Sequence, residues 1–191
     1  MRRYILTGAP GGGKTTIARA LQQRGYSVVD EAATDVIARA QERGVDQPWQ
    51  EPGFVDTIVR LQQQRQQQAP LDGASVQVYD RSPICTLALA RYLELPVTRE
   101  LRAEVNRVVQ SAIYQPVVFF IELFGEVEPT SARRISLADA KRFEEVHRTA
   151  YETCGYELVD VPPAPIEDRV DLIDEALQAD DVRFAEEAWN F

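Results

Sequence analysis

Near its start the chain reads Gly8-Ala9-Pro10-Gly11-Gly12-Gly13-Lys14-Thr15, directly after the short apolar run Tyr4-Ile5-Leu6. These eight residues match the pattern G-x-x-x-x-G-K-[ST] at every position. The glycines let backbone N–H groups turn inward around phosphate oxygens, where a Cβ would collide. The stretch therefore predicts a loop that binds the phosphates of a nucleoside triphosphate, and residues 8–15 are called the P-loop below.

The residues that close the P-loop have separate expected roles. A helix predicted over residues 15–24 would point its positive end at the phosphates. Lys14 would reach the β- and γ-phosphates, Thr15 would bind Mg²⁺ through its hydroxyl, and Thr16 would complete the binding segment. Of the 21 Lys and Arg residues only Lys14 and Lys141 are lysines, so Lys14 is a candidate for a lysine that arginine cannot replace.

Beyond the P-loop, short apolar runs alternate with helical patterns. Such alternation predicts a parallel sheet covered on both faces, an α/β fold of three layers. No linker divides the chain, so we expect one domain over residues 1–191, with a lid-like segment at about 125–142 and a C-terminal helical tail at about 166–191. The predicted strands are 3–7, 26–29, 75–79, 116–124 and 156–161. The predicted helices are 15–24, 32–43, 54–68, 84–93, 98–113, 137–154 and 166–177, with a further short helix at 182–189.

Composition narrows the class of protein. The net charge is -9, which disfavours general binding to nucleic acids and to anionic membranes, so any phosphate must be held locally. No apolar run approaches the ~18 residues of a membrane span, and the first residues lack the ~7-residue apolar segment of a secretory signal. We therefore expect a cytoplasmic protein. One histidine and two cysteines exclude a His-rich metal site and a disulfide framework.

Polar residues follow the predicted strands, at the sheet edge where ligands bind in such folds. Glu31 would accept a proton from a substrate hydroxyl or orient the acceptor, with Asp30 as the second choice; an acidic residue at a helix start is the structural alternative. Asp80 would hold Mg²⁺ directly or through water, or simply form a turn. Arg81 would bind an anionic group of the substrate or pair with a carboxylate.

Arg133 and Arg134 lie in a polar, irregular stretch. A loop that carries fixed positive charge can close over the γ-phosphate and act as an arginine finger, and nothing in the sequence chooses between the two residues. The alternative is a pair of solvated arginines.

These residues also carry a resemblance. The stretches Val78-Tyr79-Asp80-Arg81-Ser82-Pro83, Ala132-Arg133-Arg134 and Gly155-Tyr156-Glu157-Leu158-Val159-Asp160-Val161-Pro162 resemble the predicted-ATPase family related to the kinase domain of NadR-type ribosylnicotinamide kinases, within the nucleoside and nucleotide kinase group. The resemblance covers residues 3 to about 169. It implies ATP binding and a five-stranded sheet in the order 2-3-1-4-5. The chain departs from the family pattern at Thr34, a position where family members often have a basic residue. In this fold the turn at 162–165 usually seats the adenine.

The sequence thus predicts a kinase that transfers the γ-phosphate of Mg²⁺-ATP to a nucleoside-like or other small acceptor. The guanine-binding pattern N-K-x-D is absent, although GTP is not excluded. The leading alternative is a regulatory nucleotide-binding module or slow ATPase that acts through a protein partner. A kinase that modifies a macromolecule is a third class, and a homodimer is possible.

Overall fold

The computed structural model describes residues 1–68, 73–123 and 137–189. Its strands are β1 (Arg2–Thr7), β2 (Ser27–Val29), β3 (Val76–Asp80), β4 (Val117–Ile121) and β5 (Glu157–Val161). Its helices are α1 (Lys14–Gln23), α2 (Ala32–Glu42), α3 (Phe54–Gln67), α4 (Pro83–Tyr92), α5 (Arg99–Gln110), α6 (Leu137–Thr153) and α7 (Ile166–Trp189), and a 3-10 turn spans Pro48–Gln50.

The strands form one parallel sheet in the order β2-β3-β1-β4-β5, which confirms the predicted topology. In its centre, β1 pairs with β3 on one side and with β4 on the other. Since parallel strands end at the same edge, the segments after β1, β2 and β3 meet there. This brings the P-loop, Glu31 and Arg81 together although they are far apart in sequence.

The alternation of side chains along β1 produces the three layers. Tyr4 and Leu6 point to one face and pack with apolar residues of α1 and α7. Ile5 points to the other face and packs with residues of α3, α4, α5 and α6. Helices therefore cover both faces of the sheet, and the central strands β1, β3 and β4 are almost fully buried.

Most predicted elements agree with the structure to within two residues at each end, and the helix predicted over 98–113 ends earlier, at Gln110. The fourth strand ends at Ile121 rather than at 124, because only the backbone N–H of Glu122 continues the pairing, to the carbonyl of Val161 at 3.1 Å. The predicted helices at 166–177 and 182–189 form one helix, α7, because residues 178–181 contain no glycine or proline that would end it. Among the described residues, no helix has the length and apolar character that a membrane span requires.

Candidate active site

The backbone of the P-loop adopts conformations that require glycine. Gly8, Gly11 and Gly13 have φ angles of 125°, 99° and 87°. A Cβ on Gly8 would lie 2.3 Å from the carbonyl oxygen of Ile121 in β4, so the loop passes directly over the neighbouring strand. α1 begins at Lys14 immediately after the loop. The first N–H groups of a helix have no partner within the helix and can bind an anion. The geometry is that of an anion-binding cradle.

Lys14 is folded over this cradle. Its side chain is buried and its Nζ donates a hydrogen bond to the carbonyl oxygen of Ala9 at 2.7 Å. Burial, together with the positive charge of Arg81, lowers the pKa of Lys14 to about 7. An anion in the cradle would favour the charged form of Lys14, because its negative charge would offset both burial and repulsion from Arg81.

Thr15 and Asp80 form the expected pair beside the P-loop. The hydroxyl of Thr15 donates to Oδ2 of Asp80 at 3.2 Å, and Oδ1 of Asp80 is buried with no hydrogen-bond partner in the part of the chain described. Burial raises the pKa of Asp80. A hydroxyl and a carboxylate oxygen in need of a partner suit Mg²⁺, which takes few protein ligands and completes its shell with water and phosphate oxygens. Within the described ranges, no three His, Cys, Asp or Glu side chains gather into a metal cluster of their own.

Glu31 faces the site and is tied to Arg81. Nε of Arg81 lies 2.5 Å from Oε1 of Glu31, and the hydroxyl of Thr34 donates to the other carboxylate oxygen at 2.9 Å. Burial favours the neutral acid, but Arg81 and Lys14 outweigh it and hold the pKa of Glu31 below its usual value. Thr34, where the related family often has a basic residue, here orients Glu31.

Arg81 connects the two sides of the site. Its Nη1 donates to the carbonyl oxygen of Gly8 at 3.2 Å, and the same nitrogen lies 3.3 Å from Nε2 of His147. Burial works against the charge of Arg81, but Glu31 and Asp80 outweigh it and raise the pKa of the guanidinium. Its φ of 77° is a left-handed conformation that costs a non-glycine residue about 1–2 kcal/mol.

Other predicted residues are placed less centrally or not at all. Asp30 is exposed, and its carbonyl oxygen accepts a hydrogen bond from Arg65 at 2.7 Å. Thr16 is exposed in the first turn of α1. Arg133 and Arg134 lie outside the described residues, as does most of the predicted lid-like segment; its last residues, 137–142, begin α6.

Two residues of the site were not predicted from the sequence. The helical spacing of His147 with Phe143, Val146, Ala150 and Cys154 predicts an ordinary core-edge histidine. In the structure His147 is fully buried; its Nδ1 donates to the carbonyl oxygen of Phe143, which leaves Nε2 to accept from Arg81. Burial, and then the charge of Arg81, lower the pKa of His147 to about 3. Arg169 is also buried, and its Nη1 donates to the carbonyl oxygen of Gly12 at 2.8 Å. No local pattern in the sequence indicates the contact between His147 and Arg81.

A small cavity lies next to Asp80 and Arg81, and part of its lining is apolar or aromatic: Val29, Ala32, Tyr79 and Tyr114. It is lined further by Asp30, Gln62 and Arg65. Arg65 is anchored there by an ion pair with Asp35 of α2. The cavity therefore combines carboxylate, amide and guanidinium groups with apolar and aromatic side chains, the mixed lining that is usual for small-molecule sites.

Solved structures share this fold. Deoxyadenosine kinase from M. mycoides, with products dCMP and a flexible dCDP bound, matches with a TM-score of 0.62 and 12% identity over 93% of this chain and 99% of that one. The NadR protein in complex with NR matches with a TM-score of 0.68 and 16% identity over 91% of this chain but only 51% of that one. Shikimate kinase from Acinetobacter baumannii in complex with shikimate matches with a TM-score of 0.58 and 14% identity over 94% of each chain.

The three named structures are similar in fold across at least nine-tenths of this chain. None of the curated proteins compared with the chain matches it. A family model described as an AAA domain matches residues 3–169, which include the P-loop, Glu31, Arg81 and Arg169. The chain thus belongs to this AAA domain family and has the fold of P-loop kinases of nucleosides and other small molecules.

Proposed function

We propose that this protein binds Mg²⁺-ATP in the P-loop and transfers the γ-phosphoryl group to a hydroxyl or phosphate of a nucleoside-like or other small acceptor. The observation that carries the proposal is the double contact of Arg81. Its Nε pairs with the Glu31 carboxylate, and its Nη1 binds the carbonyl of Gly8 in the P-loop. One side chain thereby joins the phosphate cradle to the carboxylate that would meet the acceptor.

The arrangement of charge suits phosphoryl transfer, which needs positioning and neutralisation of the transferring group. Lys14 and Arg81 place two cations beside the cradle in a chain of net charge -9. Since burial and the charge of Arg81 lower the pKa of Lys14 to about 7, a bound phosphate would favour the charged form of Lys14. This is the local grip on phosphate that an acidic protein needs.

Glu31 is suited to hold the acceptor. Because Arg81 and Lys14 keep its pKa low, it is a carboxylate at neutral pH and accepts hydrogen bonds from a hydroxyl. Thr34 fixes one of its oxygens, so the carboxylate would orient the acceptor's hydroxyl towards the P-loop and receive its proton as the phosphoryl group is transferred. Asp30 is exposed, whereas Glu31 is held by Arg81 and Thr34, which favours Glu31 for this role.

Thr15 and Asp80 would hold the magnesium ion, through the hydroxyl and the carboxylate oxygen that lacks a partner among the described residues. When bound, Mg²⁺ would neutralise charge on the phosphate oxygens. The fold neighbours support a kinase over other nucleotide-binding proteins, since their names give three different small molecules on one fold: deoxyadenosine, NR and shikimate.

The proposal is tested by following the γ-phosphate. The protein is incubated with γ-labelled ATP, Mg²⁺ and a pooled panel of nucleosides, nucleotides and vitamin ribosides. Lys14→Ala removes the cation over the cradle, and Lys141→Ala, the chain's only other lysine and exposed on α6, is the matched control. We expect a labelled ester with the native chain and with Lys141→Ala, and none with Lys14→Ala.

Other outcomes would contradict the proposal. An ester formed equally by Lys14→Ala would show that the P-loop is not the site. Label released only as free phosphate would favour the slow ATPase, and label that stays on ATP would favour a regulatory module that acts through a protein partner.

A further inference from the structure

We infer that Arg169 is a positioning residue of the P-loop, whose guanidinium holds the peptide between Gly12 and Gly13 so that its N–H faces the phosphates. The inference rests on the proposed nucleotide binding. It assigns to α7, at the far end of the chain, a part in forming the cradle.

Arg169 reaches the P-loop from the first turn of α7. Its backbone N–H donates to the carbonyl of Pro165 at 3.2 Å, and only 1% of the residue is exposed. Three buried apolar residues of the same helix, Val170, Ile173 and Leu177, pack on the sheet. The helix is thus anchored by apolar contacts, and packing alone does not call for a buried guanidinium, which is costly to remove from water.

The guanidinium of Arg169 is held by three backbone carbonyls. Nη1 donates to Gly12 at 2.8 Å, and Nη2 donates to Glu122 at 3.0 Å and to Val161 at 3.3 Å. These carbonyls belong to the P-loop and to the ends of β4 and β5. A planar fork of donors can bridge such a set, whereas the single ammonium group of a lysine cannot.

The contact with Gly12 has a direct consequence for phosphate binding. In a trans peptide the C=O and the N–H point in opposite directions, and the described residues contain no cis peptide. Arg169 holds the carbonyl of Gly12 against the base of α7 and the sheet. The N–H of Gly13 must therefore point the other way, into the cradle.

Other carbonyl oxygens of the P-loop are held by groups other than Arg169. The carbonyl of Gly8 accepts from Arg81, that of Ala9 from Lys14, and that of Gly13 from the N–H of Ile17 in α1. Gly12 precedes the helix, and the next residue, Gly13, has a left-handed conformation. Because both residues are glycines, the peptide plane between them would otherwise be free to adopt several orientations. Arg169 supplies the bond that stops this rotation.

The test compares variants by phosphate affinity and by stability. Arg169→Met keeps an unbranched apolar stem and removes the donors, and Arg169→Lys keeps the charge and removes the fork. The matched control is Ile173→Ala, which weakens the packing of α7 one turn further on. Binding of tripolyphosphate and of ADP, each with Mg²⁺, is measured by calorimetry, and thermal unfolding is recorded for every variant. Tripolyphosphate has no base or ribose, so it reports on the cradle alone.

We expect Arg169→Met and Arg169→Lys to bind both probes about 10-fold more weakly or worse, the size of effect when a charge-assisted hydrogen bond is lost. Ile173→Ala should lower the unfolding temperature and keep its affinity for tripolyphosphate. If Arg169→Met does not fold, Arg169→Lys carries the same test.

Three results would overturn the inference. The first is that the Arg169 variants bind tripolyphosphate with native affinity, even if they bind ADP more weakly. The second is an equal loss in Ile173→Ala, and the third is full affinity in Arg169→Lys. If the native chain binds neither tripolyphosphate nor ADP, the proposed nucleotide binding is refuted, and the inference with it.

Discussion

The phosphate side and the acceptor side of the candidate site are formed in different ways. On the phosphate side, one contiguous loop is shaped by glycines whose φ angles reach 125°. The loop passes so close to β4 that a Cβ on Gly8 would collide with the carbonyl oxygen of Ile121. On the acceptor side, Glu31, Arg81 and His147 come from three separate parts of the chain and are joined by side-chain contacts. The first is a property of the backbone, and the second is a network of charges.

This difference predicts different responses to mutation. A backbone cradle cannot adapt to an added Cβ, because the strand beside it cannot move without breaking the sheet. A side-chain network tolerates isosteric replacement sterically, but each replacement changes the charges that its neighbours experience. Changes to the backbone of the phosphate side should therefore affect the fold, and side-chain changes on the acceptor side should affect catalysis and the pH dependence.

The largest effect is expected for Gly8→Ala. The new Cβ would lie 2.3 Å from the carbonyl of Ile121 at a φ of 125°, so strain and overpacking should together cost about 2–5 kcal/mol of unfolding free energy. Gly25→Ala is the matched control, because Gly25 also has a positive φ, of 95°, but nothing within 4 Å of its Cβ position. Denaturant unfolding measures both, and equal losses would show that the close approach to β4 has no energetic weight.

A somewhat smaller effect, confined to catalysis, is expected for Glu31→Gln. Loss of the group that accepts the acceptor's proton should reduce phosphoryl transfer by on the order of 10²-fold while ATP affinity is kept, since Glu31 lies on the acceptor side. The isosteric control is Asp30→Asn, at the exposed neighbouring carboxylate. Steady-state rates decide the matter, and full activity of Glu31→Gln would remove this residue from the mechanism.

The smallest effect concerns pH and the chain's single histidine. The folded pKa of His147 is about 3, below that of an unfolded histidine, so between these values the unfolded chain binds more protons and stability falls as the pH falls. From pH 7 to pH 5 the native protein should lose about 2 kcal/mol relative to His147→Gln, whose amide still accepts a bond from Arg81. Unfolding curves at several pH values measure this, and parallel losses in the two proteins would contradict it.

The sequence and the structure agree most closely on the phosphate side. The spacing of the glycines and Lys14 predicted the loop and the start of its helix, because a tight turn of backbone depends on residues that are neighbours in sequence. The order of the sheet followed from the family resemblance and is confirmed. The sequence predicts two helices where α7 is continuous, because residues 178–181 form a short polar interval. This interval contains no glycine or proline, so it does not end the helix.

On the acceptor side the sequence identified the residues but not their contacts. Glu31, Asp80 and Arg81 stood out because each follows a predicted strand. Whether Arg81 would bind a substrate anion or a carboxylate was left open, and the structure pairs it with Glu31. His147 looked like one more residue on the buried face of a helix, because its partner is 66 residues away.

By itself, therefore, the sequence determined that this protein has a glycine-rich P-loop at the end of a buried strand in a layered α/β fold. Those features depend on local backbone geometry and on the periodicity of apolar residues. Tertiary structure decided which side chains complete the site: that His147 holds Arg81, and that Arg169, 157 residues from Gly12, bonds to the P-loop. The physical reason is that these contacts form only when the sheet brings its strand ends together, and no spacing along the chain encodes such a distance.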